Sequence, residues 1–145
     1  MWQTIYAWPW ATIWAAISAI FTAVTAVVAA LALLQWSRQD KLKAKLHFKN
    51  TIHEYSDILV TLPEKLNIPE DRHRYDERIK LCTERLLKCS SAYVSCEGLL
   101  EDNEVVHKCW GYIATNHQHY LTGGIDRKLL EKSCLLILNE NFVFR

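Results

Sequence analysis

The chain has 145 residues and 16.9 kDa, half of them hydrophobic, with 17 basic and 16 acidic side chains and a formal net charge of +1. Those averages hide an uneven distribution, because every Asp, Glu, Lys and Arg lies from Arg38 onward and the first 37 positions carry none. Such a division excludes a simple soluble globule, a disordered chain, a secreted disulfide scaffold and a many-pass transporter.

Residues 1–37 form the first of two segments. A spanning helix needs about 20 apolar residues to cross a hydrocarbon core of about 30 Å, and Ile5–Trp36 is uncharged throughout. Proline costs nothing at the first helical position. The helix is therefore expected to open at Pro9 and to run about 42 Å to Trp36 at 1.5 Å per residue. Trp2, Tyr6, Trp8, Trp10 and Trp14 gather at one end and Trp36 marks the other, as aromatic rings with one polar atom do at a membrane interface. The run is too long for a core helix in a chain of this size. A cleaved signal peptide would have a basic start and an apolar run of only about 7–15 residues, so the anchor is expected to persist in the mature protein. No cation precedes the span, whereas Arg38, Lys41, Lys43, Lys45 and Lys49 follow it. The positive-inside rule then sets a short N-terminus outside and the remainder in the cytoplasm. Ala15, Ala19 and Ala23 repeat every four residues after Ala11, beside Ser18, Thr22, Thr25 and Ala29. Small residues let helix backbones approach closely, so Ala15, Ala19, Ala23, Ser18 and Thr22 are candidates for transmembrane self-association. A pore would require it, since one span lines no channel alone.

Residues 38–145 hold all the charge and are expected to form an all-α domain of about four helices, since few glycines or prolines punctuate them. Leu42, Leu46, Ile52, Tyr55, Leu59 and Leu62 lie close to one helical face, and Pro63 stops that helix. No Gly or Pro separates it from the span, so the two are expected to form one rod. After the loop between Pro63 and Pro69, a helix starts near Pro69 with Glu70 and Asp71 in its first turn. Its apolar line of Tyr75, Ile79, Cys82, Leu86, Cys89, Tyr93, Cys96 and Leu100 alternates in steps of four and three, an a/d seam of about four heptads. That seam fits packing within one chain and pairing between copies equally well. Asp102 or Asn103 caps a third helix with Val106, Cys109, Ile113 and Tyr120 inward, and Gly123-Gly124 ends it. Asp126 caps a fourth through Arg127, Leu130, Cys134 and Leu138, before a short tail that is either a strand or a docked end.

Catalytic and metal motifs are absent from the sequence. It contains no phosphate-binding Gly-rich loop, GxSxG or HExxH. Cys82, Cys89 and Cys96 are spaced about 10.5 Å apart along a helix, too far for one zinc ion with bonds of about 2.3 Å. With no CxxC pair and an odd count, the five cysteines are expected to be reduced core residues. No cofactor, metal or enzymatic activity is expected. Two clusters suit an anionic ligand instead. One is Arg72, His73, Arg74, Tyr75 and Arg78; the other is His117, His119, Tyr120, Thr122, Gly123, Gly124, Arg127 and Lys128. Guanidinium forks match phosphate oxygens, aromatic and imidazole faces stack on bases, and a Gly-Gly turn lets backbone N–H groups approach a phosphate. The candidate ligand-binding residues are Arg72, Arg74, Arg78, His117, His119, Tyr120, Arg127 and Lys128. Residues of these types more often make a solvated basic face and a helix stop than a ligand site, for either cluster. A net charge of +1 argues against long nucleic acid.

An uncharged span, Ile5–Trp36, a basic flank, Arg38–Lys49, and a helical domain without enzyme motifs together resemble the small membrane-anchored effectors of type III CRISPR immunity. The resemblance covers the layout of the whole chain and no diagnostic motif. It implies a homo-oligomer, a tetramer, single-pass in the bacterial inner membrane, whose cytoplasmic domains bind cyclic tetra-adenylate and whose spans then perturb or permeabilise that membrane in antiviral defence. A four-nucleotide ring on a fourfold axis would need only one or two cations and one stacking ring from each subunit. Two alternatives share the anchor: a phage-exclusion or toxin-like protein triggered by a protein partner, and a passive membrane-tethered scaffold.

Overall fold

The computed structural model describes residues 4–96, 98–101 and 103–143, with side chains from Trp10 onward. Among the described residues it contains five α-helices and no strand: α1 (Thr4–Val60), α2 (Pro69–Arg74), α3 (Asp76–Ser95), α4 (Glu104–Leu121) and α5 (Arg127–Asn139). The all-α fold with one long apolar N-terminal helix agrees with the sequence. Met1–Asp40 and Lys41–Arg145 are separate compact units.

The first unit is the apolar part of α1. Its large side chains are open along their length, with Trp10, Phe21 and Leu33 each more than 60% exposed. It is one helix long and apolar enough to cross a membrane. The helix opens at Thr4 rather than at Pro9, so Pro9 removes one early hydrogen bond instead of beginning the ladder. Thr22 and Thr25 donate their hydroxyls to the carbonyls of Ser18 and Phe21, each at 2.8 Å, which satisfies them inside the helix. Ala15, Ala19, Ala23, Ser18 and Thr22 all stay exposed. Trp2, Tyr6 and Trp8 lie outside the described side chains.

The second unit has one core. From α1 it takes Phe48, Ile52, Tyr55 and Leu59, a four-three-four spacing that continues into Leu62 after the helix has ended. Phe48 sets this register, whereas Leu46, expected inside, is 37% exposed. The expected second helix is two. It breaks at Tyr75 (φ −106°, ψ 12°) into α2 and α3. The heptad seam lies on α3 and packs inside its own chain: Cys82, Cys89 and Cys96 are buried, and Tyr75, Ile79, Leu86 and Tyr93 lean on the core. The helix ends at Ser95, so Leu100 joins the core from the turn that follows. α4 presents Val106, Trp110, Ile113, His117 and Tyr120 inward, and α5 presents Leu130, Ser133, Cys134 and Ile137. Asn103 caps α4 by accepting from the Val106 N–H at 3.0 Å.

The tail is a docked end. Phe142 and Val143 are buried, Phe142 beside Phe48 at 6.4 Å between ring centroids. Lys45 Nζ donates to the Phe142 carbonyl and Lys49 Nζ to that of Glu140, each at 3.1 Å. Phe48 also meets Tyr93 and Trp110 edge-on, at 5.4 and 5.7 Å. These aromatic contacts join α1, α3, α4 and the tail.

Candidate functional site

The two clusters picked out in the sequence meet around one segment, residues 60–67, which follows α1. An α-helix leaves its last four carbonyls without intrahelical partners. Here side chains from the other four helices reach one of them, that of Val60, and four carbonyls of the residues just beyond it. Arg127 Nη1 donates to the carbonyls of Val60, at 2.6 Å, and Leu62. Arg78 Nη1 donates to the Thr61 carbonyl at 3.2 Å, and the Tyr120 hydroxyl to that of Pro63 at 2.6 Å. Arg72 bridges two segments, with Nε on the Leu66 carbonyl at 2.9 Å and Nη2 on the Thr122 carbonyl at 2.7 Å. Cations at a helix C-terminus also meet the negative end of its dipole.

Several candidate ligand residues are therefore committed to the fold. Arg127 is only partly exposed, and its Nε lies 3.0 Å from Glu131 Oε1, outside good hydrogen-bond alignment. Lys128 pairs with Glu64 at 2.7 Å, and Lys65 with Asp126 at 3.0 Å. Tyr120 is buried, and desolvation pushes its phenol pKa up. His117 is a core residue, only 3% exposed. Its Nδ1 lies 3.0 Å from the Tyr55 hydroxyl and its Nε2 3.3 Å from Thr83 Oγ1. Since Thr83 gives its proton to the Ile79 carbonyl, the Thr83 oxygen accepts from Nε2–H and Nδ1 accepts from Tyr55. That arrangement suits a neutral ring, and desolvation lowers the His117 pKa to about 4.

The Gly-Gly turn is likewise occupied. Gly124 N–H donates to the His119 carbonyl at 2.7 Å and Gly123 N–H to that of Tyr120 at 2.9 Å. These two bonds make a Schellman stop, with Gly123 at φ +82°. The N–H groups that could have cradled a phosphate serve α4 instead. A Cβ on Gly123 would lie 2.6 Å from Asn67 Oδ1 and 3.1 Å from the Leu66 carbonyl, so the turn also lies tight against the 60–67 segment.

Four candidates remain at the surface with no carboxylate in ion-pair range among the described residues: Arg72, Arg74, Arg78 and His119. Three of them belong to one short stretch. Arg74 and Arg78 hold their guanidinium carbons 6.0 and 5.8 Å from the centroid of the Tyr75 ring. Arg72, Arg74 and Arg78 thus offer positive charge, planar donors and an aromatic face together, a set that suits a phosphate-bearing ligand with a ring to stack. The role of Arg78, Arg127 and Tyr120 in holding the end of α1 was not visible in the sequence, because carbonyl acceptors leave no residue-type signal. Among the described residues no three His, Cys, Asp or Glu side chains gather as a metal site.

Comparison with family models, with curated proteins and with solved structures finds no match to this chain.

Proposed function

We propose that the chain is a membrane-anchored effector of antiviral defence whose helical domain binds an anionic nucleotide messenger. Cyclic tetra-adenylate is the ligand that the architectural resemblance implies. The observation that carries this reading is the pair Arg74 and Arg78 over the Tyr75 ring, with exposed Arg72 on the same short stretch, none of the three ion-paired to a carboxylate among the described residues. Charge left unpaired on a protein surface favours an anion that approaches it. The exposed apolar stretch of α1 supports anchoring in lipid, and the cations from Arg38 to Lys49 favour a cytoplasmic position for the helical domain. The small-residue face through Ala15, Ala19 and Ala23 fits assembly of several copies, four for a ring of four nucleotides. The effector acts on the bilayer rather than through covalent chemistry.

Calorimetric titration of the full chain in lipid nanodiscs with cyclic tetra-adenylate tests the proposal. Arg74 holds no backbone carbonyl, so Arg74→Gln removes a ligand contact without loosening the fold. The expected result is binding by the natural chain and at least about tenfold weaker binding by the variant, the size of one charge-assisted contact. Absence of binding by the natural chain refutes the messenger reading.

A further inference from the structure

Arg72 and Arg78 do two things at once. They are the exposed cations of the candidate site, and they hold the 60–67 segment to the rest of the domain. The bonds they make there go to neutral carbonyls, those of Leu66, Thr122 and Thr61. A phosphate oxygen is the stronger acceptor, because both partners are then charged and a guanidinium can meet it with two parallel N–H donors. An anion that reaches these guanidiniums therefore competes with the backbone.

Besides these arginines the segment is held by Arg127 and Tyr120 and by two exposed ion pairs, Glu64–Lys128 and Lys65–Asp126, which solvent keeps weak. It runs between the end of α1 and Pro69, and few backbone bonds cross it. Thr61 and Leu62 donate back to Ile58 and Leu59, and Glu64 accepts from the Arg127 N–H. Buried Leu62 and Leu66 fasten its side chains. Its clamp has two tiers. Arg127 and Tyr120 form the inner tier, half-buried and buried respectively, with Arg127 also paired to the Glu131 carboxylate. Arg72 and Arg78 form the outer tier, both exposed. Withdrawal of the outer tier alone would loosen the segment and leave the core standing.

We infer that ligand binding at this site is an exchange: a phosphate group takes Arg72 and Arg78 from the Leu66, Thr122 and Thr61 carbonyls, and the turn that ends α1 is released. This inference rests on the anion-sensing reading and specifies how that site is regulated. The natural resting state is the clamped one. The ligand acts by removing a constraint at the end of the helix rather than by adding a contact.

Hydrogen exchange of the full chain in nanodiscs, read by mass spectrometry over residues 58–68, tests the exchange. Two conditions are compared with the free natural chain: saturation with cyclic tetra-adenylate, and Arg72→Gln/Arg78→Gln without ligand, with Arg78→Gln alone as the milder variant. Both conditions are expected to raise exchange at Thr61 and Leu62 by about tenfold or more, while α3, α4 and α5 keep their protection. Binding that leaves residues 58–68 unchanged, or protects them further, overturns the exchange while the anion-sensing reading stands. Variants with unaltered exchange in that segment also overturn it, since the carbonyl bonds would then hold nothing. No binding of the messenger by the natural chain fails the underlying reading, and the exchange falls with it.

Discussion

Burial of His117 makes acid a direct probe of the core. The ring sits between Tyr55 of α1 and Thr83 of α3, accepting from one and donating to the other, and it is nearly sealed from water. A proton on Nδ1 would turn the Tyr55 hydroxyl away from the ring and add a charge that no carboxylate among the described residues pairs with. Desolvation accordingly lowers the folded pKa from 6.5 to about 4. The sign follows from linkage: between these values the unfolded chain takes up a proton that the folded chain refuses. The stability contributed by neutral His117 is complete above pH 6.5 and is lost as pH falls from 6.5 toward 4. The gap corresponds to about 3 kcal/mol in full, and to about 2 kcal/mol at pH 4.5. Urea unfolding of the detergent-solubilised full chain measures it, read by near-ultraviolet circular dichroism of the Phe48, Tyr93 and Trp110 cluster. His117→Gln is the reference, since all other titrating groups are common to both chains and cancel. The natural chain is expected to be the more stable at pH 7, with an advantage that shrinks by about 2 kcal/mol at pH 4.5. Parallel curves for the two chains across that range would show that His117 titrates alike folded and unfolded, and the argument would be wrong.

Four further outcomes are expected. Gly123→Ala places a side chain at φ +82° against Asn67 and Leu66 and should lower unfolding free energy by about 2 kcal/mol, measured by the same urea series. Arg127→Met strips the Val60 and Leu62 carbonyls of their partner and leaves Glu131 alone, at a cost of about 3 kcal/mol, of which Arg127→Lys should recover only part. Phe142→Ala empties the space beside Phe48 and should cost about 3 kcal/mol, with faster proteolysis of the tail as the second readout. Alkylation of the native chain at pH 8 should label Cys109 first, because it is the one cysteine that is not buried; labelling of Cys82, Cys89, Cys96 and Cys134 should wait for denaturant.

The long apolar helix and the punctuation of the helical domain were legible because they depend on composition and on residues with special backbones. Thirty-odd residues without a charge announce a span, Pro63 and Pro69 bracket a loop, and Gly123-Gly124 ends α4 as expected. The heptad spacing on α3 was legible as a buried line, but spacing alone cannot tell a chain's own core from a second copy; only the presence of Phe48, Ile52 and Tyr55 opposite decides it. The break at Tyr75 has no Gly or Pro to mark it. The candidate site was half legible. Residue type identified Arg72, Arg74 and Arg78, and their exposure supports that choice. The same signal misplaced His117 and Tyr120, which share an inward face with Val106, Trp110 and Ile113 at steps of four and three. That periodicity was available in the sequence, and it outweighs the polar character of an imidazole or a phenol whose polar atoms find partners inside, as those of His117 do on Tyr55 and Thr83 and that of Tyr120 on Pro63.

The docking of the tail sets an order of events during synthesis. Phe48 needs Phe142 to complete its surroundings, and Lys45 and Lys49 need the carbonyls at the far end of the chain. A ribosome adding about 5–20 residues per second takes roughly 5–20 seconds to travel from one phenylalanine to the other. Throughout that interval the half-made domain presents an open aromatic socket, so its closure waits for residues 140–143 to emerge, well after the apolar part of α1 has been translated.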